Sequence, residues 1–278
     1  MATTTPGAAE PDPGRGPGAA RPRLEIAAQD VDGATAAVRH GAERLEVCQA
    51  LAVGGLTPSL GLVEHAAALG VPVRPLIRPR AGGFRVSPDE LRAMRRDVAA
   101  LADAGAEAFV VGALVERPAS EPSEGEPTED ELGLDVPALT ALADAAAGRP
   151  VIVHRCADVL LGAGVAPEEL VEQLIAAGAA GVLTSGGAAD ALAGSATLAR
   201  LVRAAAGRLE IIAGGGVRPE ALATLVDAGV DAVHLSASGP QSAGPSGPGG
   251  GEESFTTTDP QRVSAARAAL ETAPSSVD

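Results

Sequence analysis

Carboxylates, guanidinium groups and imidazoles recur in this sequence at one kind of place, inside or just after short runs of Val, Ile, Leu and Ala. Glu25 stands in LEIAA, Glu46 and Cys48 in RLEVC, and Arg78 and Arg80 in PVRPLIRPR. His154, Arg155 and Asp158 follow in PVIVHRCAD, and Thr184 and Ser185 in GVLTSG. Gly214, Gly215 and Gly216 end LEIIAGGG, and His234 and Ser236 lie in AVHLSAS. In a strand, side chains two apart share a face, so Glu46 and Cys48 point the same way and a carboxylate faces a core. Glu25 and Glu46, at equivalent places on neighbouring strands about 4.8 Å apart, would repel unless a cation sat between them. Arg78 or His154 is expected to supply that charge. Glu25, Glu46, His154 and Asp158 are therefore candidate proton donors and acceptors. Arg78, Arg80, Arg155, Thr184, Ser185, His234 and Ser236 are candidate contacts to a small anionic ligand. The Gly214 to Gly216 turn before RPEAL offers backbone N–H groups to the same ligand. The competing reading is a structural ion-pair network without chemistry. His40 and His65, in helical stretches, read as solvent-facing.

The elements that must position these residues alternate. Gly41, Gly70, Gly105, Gly148, Gly178, Gly207 and Gly229 each close a helical pattern, as glycines at helix C-termini do. After them come seven strand-like runs at 44–48, 72–79, 108–114, 150–155, 181–186, 209–215 and 232–238, and an eighth, 24–28, precedes the first helix. SPDEL at 87 and RPEAL at 218 carry helix-start signals. Eight apolar strands alternating with eight helices predict a single-domain α/β protein, a (β/α)8 TIM barrel, with the listed polar residues gathered at the strands' C-terminal ends. An open doubly wound sheet is the alternative. Against it, AGGGVRP has Pro219 where a dinucleotide fingerprint needs its third glycine, so no Rossmann nucleotide site is expected. Barrel elements span 23–238, with a Gly/Pro/Ser linker at 239–258 and a closing C-terminal helix at 259–273. Residues 1–22 and 274–278 read as tails and 116–133 as an acidic loop insert, from their Pro, Gly, Ser and acidic content.

Composition removes whole classes of activity. All 21 basic residues are Arg, and Lys, Tyr, Trp and Asn are absent. Schiff-base and pyridoxal phosphate (PLP) mechanisms, which need a lysine amine, are excluded, as is a tyrosine acid. The net charge of −15 argues against nucleic acid and anionic membranes as partners. Two cysteines, far apart in sequence and outside any C-x-x-C spacing, fit a reducing cytoplasm. No apolar run reaches transmembrane length. With 46% hydrophobic residues but only three Phe, the core must be Ala, Val, Leu and Ile packed closely.

In order, LEIAAQDVDGATAAVRHGAERLEVCQALAVGGLTPS, LIRPRAGGF, VHRCADV, VLTSGGA, AGGGV and VHLSAS resemble the CutC family, over roughly residues 24–238. The resemblance implies a (β/α)8 barrel, a cytoplasmic homodimer and a role in copper homeostasis. It also implies Cu(I) held by cysteines on the first two strands. Cys48 matches the second of these, and Ala27 stands at the first. Cys156 is a poor substitute. Strands two and five of an eight-stranded ring are about 14 Å apart, whereas an S–Cu–S bridge reaches about 10 Å with Cys–metal bonds near 2.3 Å. Three readings of function remain: copper handling through Cys48, an enzyme acting on a small phosphorylated or carboxylated molecule, and a scaffold working through the acidic insert.

Overall fold

Each of the seven glycines that close helical patterns adopts a φ between 77° and 108°, a left-handed conformation that lets a helix end and the chain reverse. The computed structural model describes residues 21–116, 132–245, 247–248 and 253–273. Eight strands form one parallel ring: β1 (Arg23–Ala28), β2 (Arg44–Val47), β3 (Val73–Pro75), β4 (Phe109–Val111), β7 (Val151–Val153), β8 (Gly181–Thr184), β9 (Glu210–Gly214) and β10 (Ala232–Leu235). They pair in the order β3-β2-β1-β10-β9-β8-β7-β4. A parallel bridge between Leu76 and Val110, with the Ile77 N–H donating to the Val110 carbonyl at 2.8 Å, closes β3 onto β4. The fold is a single-domain (β/α)8 barrel, as the alternation predicts.

Nine helices lie among the described residues: α1 (Val31–Arg39), α2 (Leu60–Ala67), α3 (Pro88–Asp103), α4 (Val136–Ala145), α5 (Cys156–Gly162), α6 (Pro167–Ala176), α7 (Ser195–Ala205), α8 (Leu222–Asp227) and α9 (Pro260–Thr272). SPDEL does start a helix. Ser87 accepts from the Glu90 N–H while the Glu90 carboxylate accepts from the Ser87 N–H, and Pro88 occupies the first turn, a reciprocal cap that satisfies two otherwise orphaned donors. RPEAL gives a 3-10 turn, Pro219–Ala221, before the six-residue α8.

Strand parity divides the apolar residues into two cores. Leu24, Ile26, Leu45, Val47, Phe109, Val111, Val151, Val153, Ile211 and Val233 face outward and pack with the helices. Leu76, Val110, Ile152, Leu183, Ile212, Ala232 and Cys48 fill the ring. Each fully buried Leu or Ile contributes about 1.5–3 kcal/mol, which compensates for the near-absence of aromatic residues.

Two antiparallel hairpins were not anticipated. β5 (Leu114–Glu116) pairs with β6 (Leu132–Leu134) at the two edges of the acidic insert, whose residues 117–131 lie outside those described. The stretch expected as a linker, 239–258, instead supplies β11 (Ser238–Ser242) and β12 (Ser254–Thr258), which pair with each other. This hairpin is pinned to the mouth by the Gln29 side-chain amide, which donates to the Thr256 carbonyl at 2.6 Å and to its hydroxyl at 2.9 Å. Such strands are satisfied mainly through backbone hydrogen bonds, so a polar Ser/Thr/Pro composition gave no alternation to read. Of the expected tails, 1–22 and 274–278, residues 1–20 and 274–278 lie outside those described, while Arg21 pairs with Glu43 at 2.9 Å. α9 forms where the closing helix was expected.

Candidate functional site

The strand registers determine which interior side chains share a level. Adding the register steps around the ring gives a stagger of eight residues, so alternate strands supply each four-residue layer. Near the N-terminal end, Arg44 shares its layer with Ala108, Gly181 and Ala232, three small residues that leave the width of the lumen to one guanidinium. Glu25, Arg74, Ile152 and Ile212 form the next layer, and Glu46, Val110, Leu183 and His234 the one above it. Then come Ala27, Leu76, His154 and Gly214, and finally Cys48, Gly112, Ser185 and Ser236 at the mouth.

Arg44, fully buried, spans the lumen. Its Nε donates to the Glu25 carboxylate on β1 and its Nη1 to Glu210 on β9 at 2.7 Å. Arg74 completes the set, with Nη1 2.8 Å from Glu210 and 3.9 Å from Glu25. His234 continues the network toward the mouth: its Nδ1 lies 2.8 Å from Glu25 and its Nε2 3.6 Å from Glu46. The charge between the two glutamates therefore comes from His234, backed by Arg44 and Arg74, and the expectation that Arg78 or His154 supplies it is corrected. The two glutamates are also not level. Glu25 pairs in register with Arg44, whereas Glu46 pairs with Ala27, one layer nearer the mouth.

This offset gives the two carboxyls opposite behaviour. Burial alone would raise Glu25, but Arg44, the His234 hydrogen bond and charge, and Arg74 together hold it far below the ordinary carboxylate range. For Glu46 burial wins. With the Glu25 charge adding to it and only partial relief from His234 and the arginines, the carboxyl rises from 4.5 to about 7. Burial disfavours the His234 cation, yet Glu46 and Glu25 outweigh it and raise the imidazole above its usual value. The result is an imidazole biased toward its cationic form beside a carboxyl that exchanges its proton near neutrality. The next layer carries two small, buried residues above this pair, Ala27 and Gly214. A Cβ on Gly214 would lie 3.4 Å from the His234 Cβ and 2.5 Å from the Leu183 Cδ1.

His154 is one layer higher, on the opposite wall. Its Nδ1 accepts from the Cys156 N–H at 3.1 Å, its ring packs 4.9 Å from that of Phe84, and burial followed by the Arg78 charge lowers its pKa to about 3. A neutral imidazole of this kind does not hold the carboxylate pair together. Arg78 donates to the carbonyls of Val53, Gly55 and Gly82 at 2.7–3.1 Å. Arg80 pairs with Glu90 at 2.6 Å and donates to Ala81, Gly83 and Arg85 carbonyls. Both arginines fasten loops around the mouth.

Asp158 accepts from the Thr184 hydroxyl, the Ser185 and Gly187 amides and the Arg155 Nε, so its carboxylate organises the loop after β8. Ser185 in turn donates to the Ala188 carbonyl at 2.7 Å. The Arg155 guanidinium lies against Gly215, where a Cβ would come within 2.9 Å of the Cζ. Gly216 abuts Asp190, and Ser236 is exposed at the rim, accepting from the Ser238 hydroxyl at 3.3 Å.

Cys48 is fully buried at the mouth layer, and burial with the nearby Glu46 charge pushes its thiol upward, away from the thiolate. Arg44, Arg74 and Glu210 were missed by sequence reasoning, which read only the late positions of each strand. The parity of Arg44 with Glu46 and Cys48 was the available signal.

Fold and lumen together define a (β/α)8 barrel whose interior is half aliphatic and half ionic. The chain belongs to the CutC family, whose model matches residues 23–239. It is 43% identical over 218 residues to a CutC family protein of Agrobacterium fabrum, covering 77% of this chain and 79% of that one. A Rhizobium meliloti CutC family protein is 39% identical over 218 residues, covering 77% and 81%. The crystal structure of a Streptococcus agalactiae CutC protein, provisionally described as a copper homeostasis protein, aligns with a TM-score of 0.67 at 28% identity, covering 77% of this chain and 98% of that one. Among the described residues no helix is long and apolar enough to cross a membrane.

Proposed function

We propose that this protein is an acid–base catalyst acting on a small anionic molecule that enters from the C-terminal mouth, with Glu46 as the proton carrier. One observation carries the reading: the Glu46 carboxyl, raised to about 7, faces His234 beneath Ala27 and Gly214 and accepts no hydrogen bond from the described residues. A catalytic acid or base works best when its pKa lies near the working pH. A purely structural carboxylate would be expected to resemble Glu25, fully paired and permanently ionised. In this reading Glu46 takes or gives the proton, His234, biased toward its cation by Glu46 and Glu25, faces developing negative charge, and Glu25 orients His234. His154 is neutral and acts as a donor or acceptor without changing charge.

The copper role attached to the family name fits the donors poorly. Cu(I) favours paired soft ligands. Cys48 has Ala27 on the neighbouring strand, its thiol is held protonated, and the described residues contain no cluster of three or more His, Cys, Asp or Glu able to hold a metal ion. Two free buried thiols, Cys48 and Cys156, remain compatible with a reducing cytoplasm.

The test is proton exchange. Wild type and Glu46→Gln are incubated in D2O with a panel of small 2-oxo and 2-hydroxy acids and phosphorylated carbonyl compounds, and deuterium uptake at carbon is followed by NMR. Exchange from at least one compound by wild type, lost in Glu46→Gln, supports the proposal. Exchange that is absent throughout, or indifferent to Glu46, refutes it. Copper binding is tested in parallel: competition for Cu(I) against a mild chelator that disappears in Cys48→Ser would restore the metal reading.

A further inference from the structure

We infer that Arg155, lying over Gly215, is a built seat for the carboxylate group of a small carboxylic acid at the barrel mouth. The inference deepens the acid–base reading by naming the substrate class, and its geometry stands on different residues.

Most arginines near the mouth are committed. Arg78 donates through both Nη groups to loop carbonyls, and Arg80 through all three nitrogens to loop carbonyls and Glu90. Arg155 differs. Its Nε is fixed by Asp158 at 2.7 Å and its Nη2 by the Ser185 hydroxyl at 3.2 Å, while Nη1 makes no hydrogen bond to the described residues. Two of the three nitrogens thus hold the guanidinium plane and the third is left to a ligand. The side chain remains 44% exposed.

Asp158 does not cancel this charge outright, because its own oxygens are shared among Thr184, Ser185 and Gly187 as well. Beside the guanidinium, Gly215 and Gly216 have φ of 98° and 62°, and the Gly216 amide faces no hydrogen-bond acceptor among the described residues. Successive backbone N–H groups in such turns form concavities that attract anions. Gly215 is required for the arrangement, since a Cβ there would lie 2.9–3.2 Å from three guanidinium atoms.

The neighbourhood also selects among anions. Gly216 touches Asp190, whose Cβ would be 2.9 Å from an added methyl, and the chain carries a net charge of −15. One guanidinium edge already paired with the Asp158 carboxylate matches a single negative charge spread over two oxygens better than a phosphate dianion.

The test uses lactate as the carboxylate probe, lactamide as its uncharged counterpart and inorganic phosphate as the competing anion. Binding to the full chain is measured by NMR titration. Lactate should bind at least tenfold more tightly than lactamide and more tightly than phosphate. Arg155→Gln should remove the preference for lactate, whereas Ser185→Ala, which keeps the charge, should retain most of it; melting curves confirm that both variants are folded. Gly215→Ala should weaken lactate binding through displacement of Arg155. Equal affinity for lactate and lactamide, tighter binding of phosphate, undetectable lactate binding, or unchanged lactate affinity in Arg155→Gln would each overturn the inference. Glu46→Gln separates the two proposals. If it retains lactate binding while no Glu46-dependent exchange is found in wild type, the seat stands and the catalyst reading falls. Glu46-dependent exchange that is indifferent to Arg155 does the reverse.

Discussion

Replacing Glu46 with Gln should make the protein more stable at pH 8 relative to wild type than it does at pH 4.5. The folded carboxyl loses its proton at about 7, against 4.5 when unperturbed, a gap of about two and a half pH units. At ~1.4 kcal/mol per unit, the cost of ionising Glu46 inside the barrel comes to about 3 kcal/mol. The sign follows from proton linkage. Between the two values the folded chain binds the proton and the unfolded chain does not, so stability falls as pH rises. The contribution of Glu46 is fully present below about 4.5 and is lost as pH climbs through about 7. Glutamine, of the same shape and never ionised, does not undergo that loss, and His234 keeps Glu25 as its partner. Urea unfolding of both proteins at intervals from pH 4.5 to 8 measures the difference directly. The stability of the variant minus that of wild type should rise by about 3 kcal/mol over this range, most steeply between pH 5.5 and 7. A difference that stays flat, or falls, would show that Glu46 ionises normally, and the case for it as a proton carrier would fail.

Arg44→Met should destabilise the barrel by about 3–5 kcal/mol in the same assay, the usual consequence of breaking a buried ion pair by removing one partner, here the contacts to Glu25 and Glu210 that Arg74 and His234 only partly replace; adding Glu25→Gln should recover part of the loss, and strictly additive effects would argue against a shared network. Gly112→Ala should cost about 1–3 kcal/mol through overpacking, because the new methyl would overlap the His154 ring and come within 2.6 Å of the Cys156 Sγ; a variant that melts with wild type would show that His154 does not lie where the structure has it.

The fold was legible because its punctuation is local. A glycine that ends a helix does so through its own backbone freedom, and all seven that mark helix ends in the sequence have positive φ. The site was legible only in part. Glu46, His234 and Cys48 could be placed on inward faces from strand parity, but the pairing of Glu46 with His234 joins residues nearly two hundred positions apart. It appears only when β10 closes against β1. Arg44 and Arg74 were overlooked because they sit at the beginnings of strands, away from the end where barrel chemistry gathers. Nothing in the sequence reveals that Arg78 and Arg80 also donate to the carbonyls of loops 53–55 and 81–85.

The guanidinium that crosses the lumen makes the earliest and latest parts of the chain interdependent. A nascent polypeptide that has emerged only as far as α4 holds Glu25, Glu46, Arg44 and Arg74 but neither Glu210 nor His234, so both arginines lack their Glu210 partner. The second carboxylate for these arginines arrives with β9, and the imidazole that faces Glu25 and Glu46 with β10. Half of this ring is therefore an electrostatically incomplete object.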